Sequence, residues 1–330
     1  MKFKNIIGID IGKETIELTV LENGEKKLHL QIENTMKKLN TFFKSLKLEW
    51  KDSLFCMEHT GIYNHHLLEV LHQSQANVWL ENAIQIKRSI GLTRGKSDKL
   101  DAMRIAQYAY LHQERAKLWQ PERKVIECLK LLIAQRSRLI KAKKLLQAPL
   151  NEGKGFITKD DTKILKQASN TSLKAIQKDL KAVTEKLKQT IESDSRLNEL
   201  FNYVTSVSNI GTIIGAAVIA STNEFKKISV AKKFACHCGI APFEYSSGKS
   251  IRGKTRVSHM ADKDMKTLLH LAALSAASRP GELRDYFERK VAEGKNKMLV
   301  LNAIRNKLIL RIFACVNNTR KYIKKDLTFA

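Results

Sequence analysis

The segment Lys96-Ser97-Asp98-Lys99-Leu100-Asp101-Ala102-Met103-Arg104-Ile105-Ala106-Gln107-Tyr108-Ala109 follows a loop, Gly91-Leu92-Thr93-Arg94-Gly95, and reads as the start of a helix. Ser97 or Asp98 can accept from the free N–H groups of the first turn, and Leu100, Met103, Ile105, Ala106 and Ala109 supply an apolar stripe. Asp98 and Asp101 stand three apart and so leave the helix on one face. The helix dipole alone favours acid at this end. Two more acids upstream, each closing a strand pattern in a very basic chain, favour another explanation. Carboxylates held side by side repel unless a cation sits between them.

The upstream chain supplies the frame. Asn5-Ile6-Ile7-Gly8-Ile9-Asp10 is a buried-strand run ending in an acid, and Thr15 to Leu21 alternates as a second strand. Asn23-Gly24 signals a hairpin into a third strand, Lys27 to Ile32. Met36, Leu39, Phe42, Phe43 and Leu46 fall at helical spacing. Ser53-Leu54-Phe55-Cys56-Met57-Glu58 is another strand ending in an acid, followed by a helix from Gly61 to about Gln73, a strand Asn77–Glu81 and a helix Ala83–Ile90. The order β-β-β-α-β-α-β-α predicts a mixed sheet with helices on it, a ribonuclease-H-like α/β domain over residues 1–118. In that pattern Asp10, Glu58, Asp98 and Asp101 meet at one sheet edge. Four hard oxygen donors suit Mg²⁺ or Mn²⁺ rather than zinc, and a pair of such ions serves phosphoryl transfer.

Composition points to an anionic partner. The 330 residues carry 59 Lys and Arg against 33 Asp and Glu, a net charge of +26, so nucleic acid is the leading candidate and an anionic membrane surface the second. Hydrophobic residues make up 43%, ample for packed cores. The longest apolar run, Ile210 to Ala220, is too short and too glycine-rich to span a bilayer, and no signal peptide is legible. Five scattered cysteines suit a reducing compartment, so a cytoplasmic, nucleoid-associated prokaryotic protein is expected. Cys236-His237-Cys238 lacks a second pair at zinc spacing and reads as the apolar face of a small helix.

After Pro121 the pattern turns helical. Stripes at Ile126, Leu129, Leu132, Ile133, Leu139 and Ile140, and at Leu173, Ile176, Leu180, Val183, Leu187 and Ile191, flank a break at Asn151–Gly155. They predict an antiparallel helical coiled-coil arm over 119–200. A mostly helical domain over 201–330 follows. Ser206 to Val218 resembles a helix-hairpin-helix, with Asn209 and Gly211 placed to offer backbone N–H groups to a phosphate. From Ser246 to His259 there is no acid, and Lys249, Arg252, Lys254 and Arg256 crowd a Gly/Ser loop beside Tyr245, a base-stacking candidate. A serine there could attack phosphorus, with guanidinium groups stabilising the developing charge. Helices at Lys263–Arg279, with Leu268, Leu269, Leu271, Ala272 and Leu274 inward, and at Asn296–Asn317 close the domain.

Gly8-Ile9-Asp10, Glu58-His59-Thr60-Gly61-Ile62-Tyr63 and Lys96-Ser97-Asp98-Lys99-Leu100-Asp101-Ala102 resemble the DEDD domain of insertion-sequence "one-ten" transposases, a group that includes Piv-type DNA invertases. Gly239-Ile240-Ala241-Pro242 through Tyr245-Ser246-Ser247-Gly248 resembles their C-terminal domain. The resemblance implies a RuvC-like fold, Mg²⁺ held by Asp10, Glu58, Asp98 and Asp101, and Ser247, ahead of its neighbour Ser246, as the residue that joins covalently to a DNA 5′ end. It also implies a homo-oligomer, dimer to tetramer, in which acids and serine come from different protomers, and a structured bridge RNA that selects donor and target DNA. The family's Ser-Lys-x-Gly-Asn-x-x-Leu-Arg segment reads here Ser258-His259-Met260-Ala261-Asp262-Lys263-Asp264-Met265-Lys266, so no contacts are carried over from it. The expectation is a site-specific recombinase. Its rivals are a Piv-type invertase, a metal-dependent junction nuclease using water, and a non-catalytic nucleic-acid-binding protein.

Overall fold

The computed structural model describes residues 3–46, 49–89, 91, 95, 97–152, 155–247, 251–258 and 260–323. The chain forms two compact units, Met1–Pro121 and Glu122–Ala330.

In the first unit, strands β1 (Asn5–Ile11), β2 (Thr15–Glu22) and β3 (Glu25–Glu33) form an antiparallel meander. The β2–β3 turn uses Asn23 at φ 51° and Gly24 at φ 92°, the left-handed pair that a tight hairpin requires. Helix α1 (Met36–Ser45), strand β4 (Ser53–Glu58), helix α2 (His65–Gln73), strand β5 (Asn77–Glu81) and helices α3 (Ala83–Ser89) and α4 (Asp98–His112) follow. The sheet order is β3-β2-β1-β4-β5, with β4 and β5 parallel to β1. The expected helix after Glu58 starts as a 3₁₀ turn at Gly61–Asn64 and becomes α-helical at His65.

Alternation along the central strands divides two cores. Ile7 and Ile9 of β1, with Phe55 and Met57 of β4, pack on Leu39 and Phe43 of α1 and Leu67 and Leu71 of α2. Ile6 of β1, with Leu54 and Cys56 of β4, packs on Ile105, Ala106 and Ala109 of α4. Period two then places Gly8, Asp10 and Glu58 on the α4 face as well. Gly8 decides how close that helix comes. A Cβ there would lie 2.2 Å from the Ala106 nitrogen and 2.4 Å from the Ala102 oxygen, so only glycine admits the α4 backbone.

The second unit is helical except for one hairpin. Helices α5 (Lys124–Glu152) and α6 (Lys159–Glu192) pack against each other. Then come α7 (Ser195–Ser206), α8 (Thr212–Thr222) and α9 (Ala231–His237), strands β6 (Pro242–Ser247) and β7 (Ile251–Val257), and helices α10 (Lys263–Ser278), α11 (Glu282–Ala292) and α12 (Lys297–Asn317). Ile126 and Leu129 of α5 and Leu187 and Ile191 of α6 are built into the same core as Val218, Leu269, Ile304 and Ile309. Towards the α5–α6 connection apolar side chains stand exposed, with Phe156 at 91%.

Three expectations need correction here. Helix α5 begins at Lys124, three residues after Pro121. The supposed Gly/Ser loop is an antiparallel hairpin in which Ser246 opposes Arg252 and Ser247 opposes Ile251. Ile251, Thr255 and Val257 carry the β-branched signal, alternating with the basic residues whose charge suggested a loop. On α10, Leu269 and Ala272 are buried, but Leu271 and Leu274 are 55% and 42% exposed. The buried stripe Met265, Leu269, Ala272, Ala273, Ala276 uses only one side of the helix.

Candidate functional site

Two buried asparagines shape the loops around the acids. Asn34 Nδ2 donates to the carbonyls of Gly12 (2.9 Å) and Tyr63 (3.1 Å), tying the turn after β1 to the segment after β4. Asn64 Nδ2 donates to the Glu58 carbonyl (2.9 Å), and its Oδ1 accepts from the Thr60 amide (2.7 Å) and hydroxyl (2.8 Å). At α4, Ser97 Oγ caps the helix by accepting from the Leu100 amide (3.3 Å), as its sequence position suggested. Gly8 sets the approach of α4, and the helix N-terminus carries Asp98 and Asp101 toward the end of the sheet that holds Asp10 and Glu58.

The electrostatics show that these acids are neighbours. Asp10 is pushed above the ordinary aspartate value by burial first, then by the charges of Asp101 and Asp98. Glu58 is raised by burial, then by Asp10 and Asp101. Neither has an ion-pair partner among the described residues, in a chain with 26 excess positive charges. Among the described residues only Asp101 of the four has a cation, Arg104 Nη1 at 2.8 Å, and Arg104 Nη2 also donates to the Gly95 carbonyl (3.0 Å). Among the described residues no three acid, histidine or cysteine side chains are drawn together as a finished metal cage. Like charges repel without a counter-ion between them, and Asp101 is paired with Arg104. The donor set, hard carboxylate oxygens of which only those of Asp101 meet a cation among the described residues, nevertheless fits a divalent ion of the Mg²⁺ or Mn²⁺ type.

Two further acids share this face and escaped the sequence reading. Glu17 of β2 opposes Asp10 in register, takes a hydrogen bond from Gln31 (2.8 Å) and lies 2.8 Å from His29 Nε2. Glu81 ends β5 beside Glu58 and accepts from Tyr108 of α4 (3.1 Å). The Tyr108 hydroxyl is pushed up to about 12 by burial and by Glu81. Both stand at odd positions of β2 and β5, strands whose odd residues Leu21 and Trp79 pack on the α4 side; Glu81 closes its strand as Glu58 does, whereas Glu17 lies inside one.

In the second unit, Asn209 adopts φ 70° between α7 and α8, the left-handed geometry expected of it. Its Oδ1 accepts from Ser275 of α10 (3.1 Å), which makes it a packing residue on that side. Gly211 caps α8, and a Cβ there would meet nothing within 4 Å, so the turn is open. Gly215 instead serves contact with α7, where a Cβ would lie 2.9 Å from Thr205 Cγ2. The backbone places Ser247 at the turn end of β6, with Tyr245 opposite Gly253 and Arg256 opposite Phe243. Lys249 lies outside the described residues, as do the side chains of Tyr245, Ser247, Arg252, Lys254 and Arg256.

Comparison with known proteins matches residues 7–150 to the DEDD-type domain described as "Transposase", and residues 202–288 to "Transposase IS116/IS110/IS902 family". The chain belongs to the IS110 transposase family. Its relatives include the pilin gene-inverting proteins of Moraxella bovis and Moraxella lacunata, each 22% identical over 98% of both chains. The transposase of insertion sequence IS1533 from Leptospira borgpetersenii is 32% identical over 32% of this chain and 31% of its own. With both domains present in order, the chain is a transposase/recombinase enzyme of this family. No helix among the described residues is long and apolar enough to cross a membrane.

Proposed function

We propose that the first unit is a ribonuclease-H-like domain in which Asp10, Glu58, Asp98 and Asp101 hold divalent metal, Mg²⁺ or Mn²⁺. The observation that carries this reading is that Asp10 is raised by burial and by Asp101 and Asp98, and Glu58 by burial and by Asp10 and Asp101, with no cation among the described residues paired to either. When bound, such ions stabilise the entering and leaving oxygens of a phosphoryl transfer. Asp101 would exchange Arg104 for the ion, and Arg104 would remain beside the developing charge.

In the proposed reaction Ser247 Oγ attacks a scissile DNA phosphate. An Oγ–P bond forms, the P–O3′ bond breaks, and the hydroxyl proton ends on the released 3′-oxygen. Attack on the phosphoserine by a different 3′-hydroxyl reverses the exchange, so the strands rejoin without ATP. The basic residues of the hairpin, Lys249, Arg252, Lys254 and Arg256, would hold the DNA backbone, with Tyr245 against a base and the turn at Asn209 and Gly211 against a further phosphate. A structured guide RNA would select the sites, α5 and α6 would act as a coiled-coil arm (119–200) between the acid and serine domains (1–118 and 201–330), and the reaction would run in a dimer to tetramer in the cytoplasm.

Recombination of a plasmid pair, with and without co-expressed flanking RNA, tests the reading. Wild type should yield joint products and a protein–DNA adduct, Ser247→Ala neither, and Asp98→Asn no products. If Ser247→Ala still forms the adduct, the serine mechanism is wrong. If it cuts without joining, the nuclease reading stands instead. A second reading, inversion between two sites on one molecule, is favoured by the full-length similarity to gene-inverting proteins. Substrates bearing paired inverted sites separate it from insertion.

A further inference from the structure

We infer that Arg305 of α12 and His270 of α10 form a seat for one backbone phosphate of the nucleic acid, beneath the hairpin that carries Ser247. The inference deepens the proposed DNA-binding role by naming a contact that no sequence motif marks.

Arg305 is only 5% exposed and stands among Ile304, Leu308 and Ile309, which are fully buried. Its Nε is enclosed and has no partner. No carboxylate or carbonyl among the described residues pairs with its guanidinium. A buried charge without a counter-charge is strongly unfavourable, and hydrogen-bond donors left empty add to that. Burial lowers the pKa of Arg305, yet a guanidinium does not give up its proton in a protein, so the charge stays. His270 is close enough that Arg305 depresses its pKa, after burial, and its Nδ1 is also enclosed and unpartnered. His270 is therefore neutral near pH 7, with an N–H available to an oxygen acceptor. Asp264 and Lys266 sit on the first turns of α10; Asp264 is engaged by Ser137 (2.8 Å) and Lys141 (3.3 Å) of α5, not by Arg305.

Position ties the seat to the hairpin. Asn302 lies three residues before Arg305, on the same face of α12, and its Nδ2 donates to the Ile240 carbonyl (2.9 Å), two residues before β6. His270 stands on α10, the helix that β7 leads into. The two helices that carry the seat thus adjoin the ends of the hairpin, α12 through Asn302 and Ile240, and α10 through the chain itself. A fork of guanidinium N–H groups with a neutral imidazole N–H matches a phosphodiester, the anion a protein of +26 meets most often. The same donors would take inorganic phosphate, which serves as a probe.

The test uses the full chain, a fluorescein-labelled mixed-sequence DNA duplex and thermal melts. Arg305→Met should melt at a higher temperature than wild type, bind the duplex about tenfold more weakly at low salt, and lower the salt slope by about one. Arg305→Lys keeps the charge but loses the fork, and should bind several-fold more weakly with the slope unchanged. Millimolar inorganic phosphate should raise the wild-type melting temperature above that in chloride of equal ionic strength, and raise that of Arg305→Lys less. Wild-type affinity in Arg305→Lys overturns the seat, as does an Arg305→Met protein that melts lower with an unaltered slope. If wild type binds no duplex while phosphate still stabilises it, the DNA-binding reading fails and the seat stands.

Discussion

Glu224 and the pair Asp10 and Glu58 are buried acids treated in opposite ways. Glu224 follows α8 with its side chain fully enclosed, and three cations reach it: Arg196 Nε at 3.0 Å, Lys226 Nζ at 3.1 Å and Arg123 Nε at 3.3 Å. Arg123 also holds Asp194, the cap of α7, at 2.7 Å. This network joins the starts of α5 and α7 to the end of α8, and its charge is settled within the protein. Asp10 and Glu58 are only half-buried, yet they lie near each other and Asp101 with no cation of their own among the described residues. A compensated buried acid is explained by the fold. An uncompensated group of acids marks where the protein is finished by something it binds, and Arg305 is the same situation with the sign reversed.

The comparison can be broken most forcefully at Asp10. Asp10→Asn should reduce recombination by about a thousandfold or more, the scale of losing transition-state charge stabilisation by a metal. The same substitution should raise the melting temperature in chelator, because it removes a repelling charge. Glu224→Ala should do the reverse and destabilise the second unit by about 3 kcal/mol in denaturant titrations, since it removes the acid shared by Arg123, Arg196 and Lys226, leaving Arg123 only Asp194, and empties a buried space. Recombination per folded molecule should change little. Gly8→Ala asks whether position alone suffices. With no charge altered, the clash with the Ala102 and Ala106 backbone should cost about 2 kcal/mol and shift Asp98 and Asp101 away from Asp10, so metal affinity should fall with stability.

The pH dependence has a definite sign. Asp10 and Glu58 hold their protons to higher pH in the folded chain than at the ordinary values of 3.8 and 4.5. The stability they contribute is complete below those values and is lost as pH rises through the raised ones. Metal-free protein should therefore lose stability across that window, and Asp10→Asn should flatten the loss. Asp264 provides the control of opposite sign. Its hydrogen bond from Ser137 and then Lys141 hold it below the ordinary value, so its contribution is lost as pH falls. The site is exposed, and Asp264→Asn should cost under about 1 kcal/mol at neutral pH.

The first unit was legible because its signals are local. Strand runs that end in acids, an Asn-Gly turn and a capped helix bearing Asp98 and Asp101 each need only neighbouring residues. Gly8 was read as a strand residue; that it sets the depth of α4 depends on packing across 98 residues of sequence and leaves no local trace. Glu81 ends a strand as Glu58 does and Glu17 lies inside one, and neither has a motif around it. In the second unit, charge misled: Lys, Arg, Gly and Ser between Ser246 and His259 read as a loop, although Ile251, Thr255 and Val257 hold the alternation of a strand. Leu271 and Leu274 were counted inward because α10 is apolar nearly all round, and only the neighbouring helices decide which side is covered. Arg305 gave no signal, since a lone arginine in an apolar helix reads as a surface residue.

The account rests on Asp10 and Glu58, which have no counter-ion among the described residues, being completed by a divalent cation. Thermal melts of wild type, Asp10→Asn and Glu58→Gln in chelator and in Mg²⁺ or Mn²⁺ test this directly. Both variants should melt above wild type in chelator, and only wild type should gain substantially from the metal. A wild type indifferent to both ions, with variants less stable than it in chelator, would contradict the account.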